Sequence, residues 1–140
     1  MTIKIKYLVP GLKALEQHGD WIDLRAAEDY SLKPGDKGNI RLGVAMELPE
    51  GYEAHVLPRS STFRKYGIIL PNGMGIIDND YHGNEDEWGF PFYATDFAFI
   101  PKNTRIAQFR VVRTQGPIIF DVVADLELES RGGFGSTGEE

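Results

Sequence analysis

Short stretches in which apolar and polar side chains alternate recur along most of this chain. Near its start, Ile3, Ile5 and Tyr7 alternate with Lys4 and Lys6, which is the period-two pattern of a half-exposed strand. Comparable alternating or short apolar runs follow at residues 20–24, 39–42, 44–48, 53–57, 67–70, 74–77, 89–93, 97–100, 105–112 and 118–123. Segments rich in Gly, Pro and Asn separate these runs, as turns do. About ten short strands at this close spacing predict an all-β sandwich or barrel.

Helical signals are confined to two short segments. Residues 12–17 are compatible with a single helical turn, which Gly19 would end. Ser61 or Thr62 is a suitable N-cap and Gly67 is a suitable stop. One short helix is therefore predicted between them.

Length, charge and cysteine content limit the classes of function. The chain has 140 residues, which predicts a single domain; we place it at residues 1–130, with a Gly-rich tail at residues 131–140. The formal net charge of -6 argues against general nucleic-acid binding, although a nucleotide requires only local positive charge. The chain contains no cysteine, which excludes disulfides and fits a cytoplasmic protein. Residues 1–7 never become an apolar run, so we expect neither a signal peptide nor a membrane span.

Residues 73–81 combine features of a binding site for a small polar molecule. Gly73 and Gly75 lack a Cβ, so a ligand or a second backbone can approach closely. Asp78 follows a stiff apolar pair, and Tyr81 adds a flat ring with a polar tip. The alternative is a plain surface turn, because Asp-Asn-Asp before His and Gly is ordinary turn chemistry.

Two further segments carry candidate chemistry. Arg59 precedes the hydroxyls of Ser60 and Ser61 at the start of the predicted helix, an arrangement suited to an anion such as phosphate; simple capping is the alternative. Asp23 lies between two apolar residues of a short predicted strand. It is either an outward-facing acid or a support for a cation or an arginine.

The tail contains groups that could bind phosphate and stack on a ring, although the segment cannot pack by itself. Glycine amides, among them that of Gly135, and the hydroxyls of Ser136 and Thr137 suit phosphate, Arg131 supplies charge, and Phe134 can stack on a ring. The alternative is an unstructured acidic terminus.

Five stretches, in this order, resemble the motifs of the trimeric dUTPases (deoxyuridine triphosphate pyrophosphatases), and the compact phage or prophage members in particular. They are Asp23-Leu24, Pro58-Arg59-Ser60-Ser61, residues 72–81, Arg105-Ile106-Ala107-Gln108 and residues 131–138. The resemblance implies a jelly-roll-like β-barrel or sandwich that forms a homotrimer with shared active sites. It also implies hydrolysis of dUTP to dUMP and pyrophosphate, which limits uracil in DNA and supplies dUMP for dTMP synthesis.

The same resemblance implies roles for the residues of the third motif. Asp78 would orient and deprotonate the water that attacks the α-phosphorus. Tyr81 would stack under the deoxyribose and leave no room for a 2′-hydroxyl. Asn72, with the backbone of Gly73, Met74 and Gly75, would read uracil.

The resemblance assigns the phosphates to the other motifs. Their ligands would be Arg59, Ser60, Ser61, Gln108, Arg131, Gly135, Ser136 and Thr137. The tail would close as a lid with Phe134 on the uracil. Mg²⁺ would be held mainly by the substrate phosphates, with Asp23 contributing through water.

An acidic loop after Tyr81 departs from the family pattern and is expected to be solvated. Trp88, Phe90 and Phe92 follow it, and they represent either an added aromatic contact near the nucleotide or local packing. Two other functions remain open: a dCTP deaminase of the same fold, which requires a catalytic Glu within a strand, and a trimeric regulatory module without catalysis.

Overall fold

Eleven β-strands and one short helix make up the regular structure of residues 1–132, the part of the chain that the computed structural model of this protein describes. The elements are β1 (Lys4–Tyr7), β2 (Ile22–Arg25), β3 (Tyr30–Leu32), β4 (Lys37–Arg41), β5 (Val44–Glu47), β6 (Tyr52–Pro58), α1 (Thr62–Tyr66), β7 (Ile68–Ile69), β8 (Gly75–Ile77), β9 (Gly89–Ala94), β10 (Ala98–Ile100) and β11 (Arg105–Arg113). The prediction of an all-β fold with one short helix is therefore confirmed.

The strands pair in antiparallel sheets that do not join into one closed barrel. The largest sheet has the order β2-β11-β6-β8, and a three-stranded sheet has the order β4-β9-β7. Two smaller sheets pair β1 with β5 and β10 with β3. Strands β11 and β6 lie at the centre of the largest sheet. Their pairing with the edge strands β2 and β8 determines where the polar residues at the ends of those edge strands lie.

Alternating side chains of the sheets form the core. In β6, Ala54 and Val56 are buried, whereas His55 between them is only partly covered. Trp88 is fully buried and packs edge-on against Phe109, with 5.1 Å between ring centroids and 82° between ring planes. Phe90 and Phe92, which follow Trp88 on β9, belong to the same core (0% and 6% exposed). The alternative of an aromatic contact near the nucleotide is thus wrong, and local packing is right.

Helix α1 forms where the sequence predicts it, but its start is held differently. Gly67 ends the helix in the left-handed region (φ 62°), and its N–H donates to the carbonyl of Phe63. Ser61 makes no side-chain capping hydrogen bond. Instead, the buried hydroxyl of Thr62 accepts the N–H of Arg59 at 2.9 Å and donates to the carbonyl of Ile106 at 3.0 Å. Thr62 thereby joins the segment that carries Arg59 to strand β11.

Two predicted elements do not form. Residues 12–17 contain no helix, because other parts of the chain take their N–H groups: that of Lys13 donates to Asn103 Oδ1 and that of Leu15 to the hydroxyl of Tyr7. Residues 118–123 contain no strand and lie exposed; Ile119 is 92% exposed. Within residues 1–132, no helix is long and apolar enough to cross a membrane.

Candidate active site

Asp78 stands at the end of β8 on a turn that is anchored to the neighbouring strand. Gly75 starts β8, and a Cβ there would lie 3.2 Å from that of Val56, so glycine permits the close pairing with β6. After the strand, the Asn79 amide donates to the carbonyls of Pro49 and Tyr52, both at 2.8 Å. The exposed carboxylate of Asp78 is therefore held on a fixed backbone.

Tyr81 closes the same turn and shares a cavity with Asp78. Its N–H donates to the Asp78 carbonyl at 3.1 Å, and its hydroxyl donates to the Glu87 carbonyl at 2.9 Å. Burial, followed by the negative charges of Asp86 and Glu87, raises the pKa of Tyr81, so the phenol stays neutral and acts as a donor at neutral pH. The cavity measures about 320 Å³ and is lined by Asn39, Ile76, Ile77, Asp78, Tyr81, Glu87, Gly89 and Pro91.

The tip that precedes β8 is open to solvent. Gly73 has φ +76°, and a Cβ there would meet no atom within 4 Å. The Asn72 amide donates to the Met74 carbonyl at 3.1 Å, and the Met74 N–H donates to the Asn72 carbonyl at 2.8 Å. Asn72 thus holds the turn, while the exposed backbone of residues 72–74 can contact a ligand.

A second polar group lies on the same sheet, at the junction of β2, β11 and β6. Asp23 Oδ1 is 3.0 Å from Arg59 Nε, and Asp23 Oδ2 is 3.9 Å from Arg105 Nε. Gln108, which faces Asp23 across the strand pair, donates from Nε2 to the Pro58 carbonyl at 3.1 Å. Asp23 therefore faces arginines, one of the two alternatives that the sequence left open.

The hydroxyls beside Arg59 remain available on this side of the sheet. Ser60 is exposed and Ser61 is half-buried, and Ser61 makes no capping bond. In residues 1–132, no group of three or more His, Asp or Glu residues could hold a metal ion by itself. Any Mg²⁺ here would need oxygens from a ligand, which suits an ion that keeps most of its coordination shell as water and phosphate.

One copy of the chain does not bring the two groups together. Ile77 faces Ala54, so Asp78 follows opposite Glu53, at the start of β6. Arg59 follows the other end of β6, six positions from Glu53, which corresponds to about 20 Å of extended strand. A general base must lie within hydrogen-bond reach of its water, so if Asp78 is the base that the motifs predict, Arg59 of the same copy lies too far away to bind the phosphate beside that water.

The predicted tail residues divide between described and undescribed parts of the chain. Arg131 is exposed. Phe134, Gly135, Ser136 and Thr137 lie outside the described residues, so their predicted roles stay predictions.

Sequence reasoning missed the ion pair between Arg41 and Glu87. Glu87 belongs to the acidic loop that was expected to be solvated, yet its carboxylate accepts Arg41 Nε at 3.0 and 3.1 Å and Nη2 at 3.0 Å. It also accepts the N–H of Gly43 at 3.1 Å. The pairing of β4 with β9 places Arg41 opposite Gly89, two residues after Glu87. Only a correct prediction of that strand pairing could have revealed the contact.

Fold and site together define an all-β protein with a carboxylate–tyrosine cavity and a separate arginine–glutamine cluster, suited to the hydrolysis of a phosphorylated small molecule. Residues 21–138 match the family model dUTPase. The chain is 51% identical over 141 residues to the SPbeta prophage-derived deoxyuridine 5′-triphosphate nucleotidohydrolase of Bacillus subtilis (strain 168), with 99% of each sequence covered. This chain therefore belongs to the dUTPase family, and its relative is of the compact phage type predicted from the motifs.

Solved structures support the fold. A mutant dUTPase of Staphylococcus bacteriophage 80alpha, with dUpNHpp, is 24% identical and has a TM-score of 0.78, with 97% of this chain and 98% of that chain covered. A mutant dUTPase of phage phi11 of S. aureus, which coordinates a structural Mg(II) ion, is 21% identical and has a TM-score of 0.76, with 91% and 100% covered.

Proposed function

We propose that this dUTPase hydrolyses dUTP to dUMP and pyrophosphate, with Asp78 as the general base. Asp78 takes a proton from a water whose oxygen attacks the α-phosphorus, and pyrophosphate leaves. The observation that carries this proposal is the cavity shared by the exposed carboxylate of Asp78 and the Tyr81 ring. The deoxyuridine triphosphate nucleotidohydrolase from the Bacillus prophage, alike over nearly its whole length, supports the substrate and a bacterial or phage-infected cytosol as the place of reaction.

The nucleoside would lie along β8. Uracil meets the open tip of residues 72–74, where backbone groups and the Asn72 amide supply donors and acceptors. The sugar reaches Tyr81, 39% exposed at the cavity, and Asp78 then lies near the α-phosphate. Because the tip and Asp78 are joined by one short strand, their spacing is fixed before substrate arrives, which is the condition for effective positioning.

The phosphate ligands would come from a second copy of the chain. Arg59, Ser60, Ser61 and Gln108 lie at the far end of β6 from the Asp78 of the same copy, so a complete site requires neighbouring protomers. The exposed apolar segment at residues 118–128 provides a second reason: Val122 is 94% and Leu128 is 83% exposed, and contiguous exposed apolar surface marks an interaction site. A homotrimer with three shared sites satisfies both observations.

Magnesium would be bound mainly by the triphosphate. The structural Mg(II) ion of the phi11 enzyme shows that a protein of this fold coordinates the ion. Here Asp23 is the nearest carboxylate to the Arg59 cluster, and its contact with the ion would pass through water because its oxygens face arginines. When bound, the ion would neutralise developing charge on the phosphate oxygens.

Residues 131–140, with Arg131 and Phe134, would act as the lid that excludes water.

A substrate panel tests this proposal directly. Pyrophosphate release is measured with dUTP, dTTP, dCTP and UTP in the presence of magnesium, while light scattering gives the size of the assembly. We expect fast release from dUTP, much slower release from the other three nucleotides, and the mass of three chains. Ammonia released from dCTP would instead show a deaminase, and unchanged dUTP after prolonged incubation would show a module without catalysis.

A further inference from the structure

The ion pair of Arg41 and Glu87 is unusually well defined for a position near the surface. The Glu87 carboxylate accepts three hydrogen-bond contacts from the Arg41 guanidinium, at 3.0 to 3.1 Å. The Glu87 side chain is 21% exposed and that of Arg41 is 42% exposed. A two-pronged pairing of this kind adds geometric specificity as well as energy.

Arg41 ends β4 in the three-stranded sheet, and its backbone is also bound to residues outside that sheet. Its N–H donates to the hydroxyl of Tyr30 at 2.8 Å, and its carbonyl accepts the N–H of Ala27 at 2.8 Å. The loop between Tyr81 and Glu87 is held mainly by bonds within itself: the Gly83 N–H donates to Asp86 Oδ2 at 2.8 Å, and the Glu87 N–H donates to the Glu85 carbonyl at 2.9 Å. Arg41 is the side chain that joins the end of this loop to β4.

The backbone of Glu87, at the end of this loop, holds the ring of Tyr81. The Tyr81 hydroxyl donates to the backbone carbonyl of Glu87 at 2.9 Å. Tyr81 and Glu87 both line the cavity that contains Asp78. Movement of Glu87 would remove the acceptor that holds the outer end of the ring.

We propose that Glu87, held by Arg41, is a positioning residue that fixes the Tyr81 ring and thereby sets the preference for deoxyribose over ribose. This inference rests on the proposed function. If the ring could move away, a 2′-hydroxyl would fit beside it, so exclusion of that hydroxyl by contact requires a ring that is held in place. The backbone N–H of Tyr81 holds its inner end and Glu87 holds its outer end.

The test compares Glu87→Gln and Arg41→Lys with two matched controls. Glu87→Gln removes the charge at nearly constant shape, and Arg41→Lys keeps the charge but cannot form the two-pronged contact. The control Glu28→Gln removes another carboxylate that faces Arg41, at 3.8 Å. The control Glu85→Gln removes an exposed charge from the same loop. The measured quantity is kcat/KM for dUTP divided by kcat/KM for UTP, with thermal unfolding recorded in parallel.

We expect that ratio to fall at least about tenfold in Glu87→Gln and Arg41→Lys, because a ring displaced by about 1 Å changes rates on that scale. The controls should stay within about twofold of the wild type. The double variant Arg41→Gln/Glu87→Gln should lose no more selectivity than Glu87→Gln, because the two residues act as one unit.

An unchanged ratio in both variants would overturn the inference. If the rates on dUTP and UTP fall equally, the ion pair is only structural. If neither rate changes, Tyr81 is held by other contacts. A wild-type protein that releases no pyrophosphate from dUTP would refute the proposed function itself, and this inference with it, so the two failures are distinguishable.

Discussion

At the scale of single residues, Asp78 is the side chain on which the proposed chemistry depends. It is exposed, lies on a turn anchored by Asn79, and faces the cavity that Tyr81 shares. Asp78→Asn keeps the shape and hydrogen-bonding capacity but removes the base. We expect turnover of dUTP to fall at least about a hundredfold while binding is retained.

Calorimetry with a non-hydrolysable dUTP analogue and a pyrophosphate assay separate binding from turnover for this variant. The control is Asp80→Asn, an exposed carboxylate two residues further on; it should retain near-normal rates. Near-normal turnover in Asp78→Asn would remove Asp78 from the role of base.

Thr62 is a residue whose structural role the sequence indicated only in part. Its buried hydroxyl makes two hydrogen bonds, with the Arg59 N–H and the Ile106 carbonyl. Thr62→Val keeps the shape but leaves both partners unpaired, so we expect a loss of about 1–3 kcal/mol in the free energy of unfolding. Ser61→Ala should change it by no more than about 0.5 kcal/mol, because Ser61 makes no capping bond.

Denaturant unfolding at one fixed protomer concentration measures both changes, because assembly makes stability depend on concentration. Equal losses in Thr62→Val and Ser61→Ala would contradict the assignment of Thr62 as the residue that joins this segment to β11.

At the scale of elements, the local sequence pattern predicted the elements whose formation depends on residues close together in the chain. The short helix before Gly67 and the alternation of residues 53–57 follow from capping and period-two burial, and both form. Residues 118–123 have the apolar character of a strand, yet no strand among residues 1–132 pairs with them. The Arg41–Glu87 pair joins residues 46 positions apart, and only the pairing of β4 with β9 brings them together.

The candidate site shows the same division. The sequence motifs single out Asp78 and Tyr81 after an apolar strand, Arg59 before the predicted helix and Gln108 within a strand. The distance between the Asp78 and Arg59 groups could not be predicted, because it depends on the length and register of β6.

The tail is the element with the clearest predicted effect on activity. Deletion of residues 131–140 should leave the size of the assembly and its unfolding temperature unchanged, because the core lies within residues 24–109. We expect activity on dUTP to fall at least about a hundredfold, since the proposed closure of the tail would complete the site and exclude water.

Size-exclusion chromatography with light scattering checks the assembly of the truncated chain, and a pyrophosphate assay checks its activity. Hydrolysis of dUTP at the full rate without residues 131–140 would show that the tail is not a lid.

At the scale of the whole molecule, the separation of Asp78 from Arg59 predicts complementation between inactive copies. Asp78→Asn lacks the proposed base, and Arg59→Ala lacks the proposed phosphate ligand, so each variant alone should be inactive. In an assembly that contains both, a site can take Asp78 from the Arg59→Ala copy and Arg59 from the Asp78→Asn copy. Random mixing in equal amounts makes about one site in four complete.

Co-refolding of the two variants should therefore restore about a quarter of the wild-type rate, whereas refolding either one alone should restore none. The matched control mixes Asp78→Asn with the double variant Asp78→Asn/Arg59→Ala, which never forms a complete site and should stay inactive. If both residues acted within one copy, no mixture would recover activity, because neither chain carries a whole site. The two ends of β6 are about 20 Å apart. Recovery of activity would show that assembly of several copies, rather than movement within one chain, brings the two residues into one site.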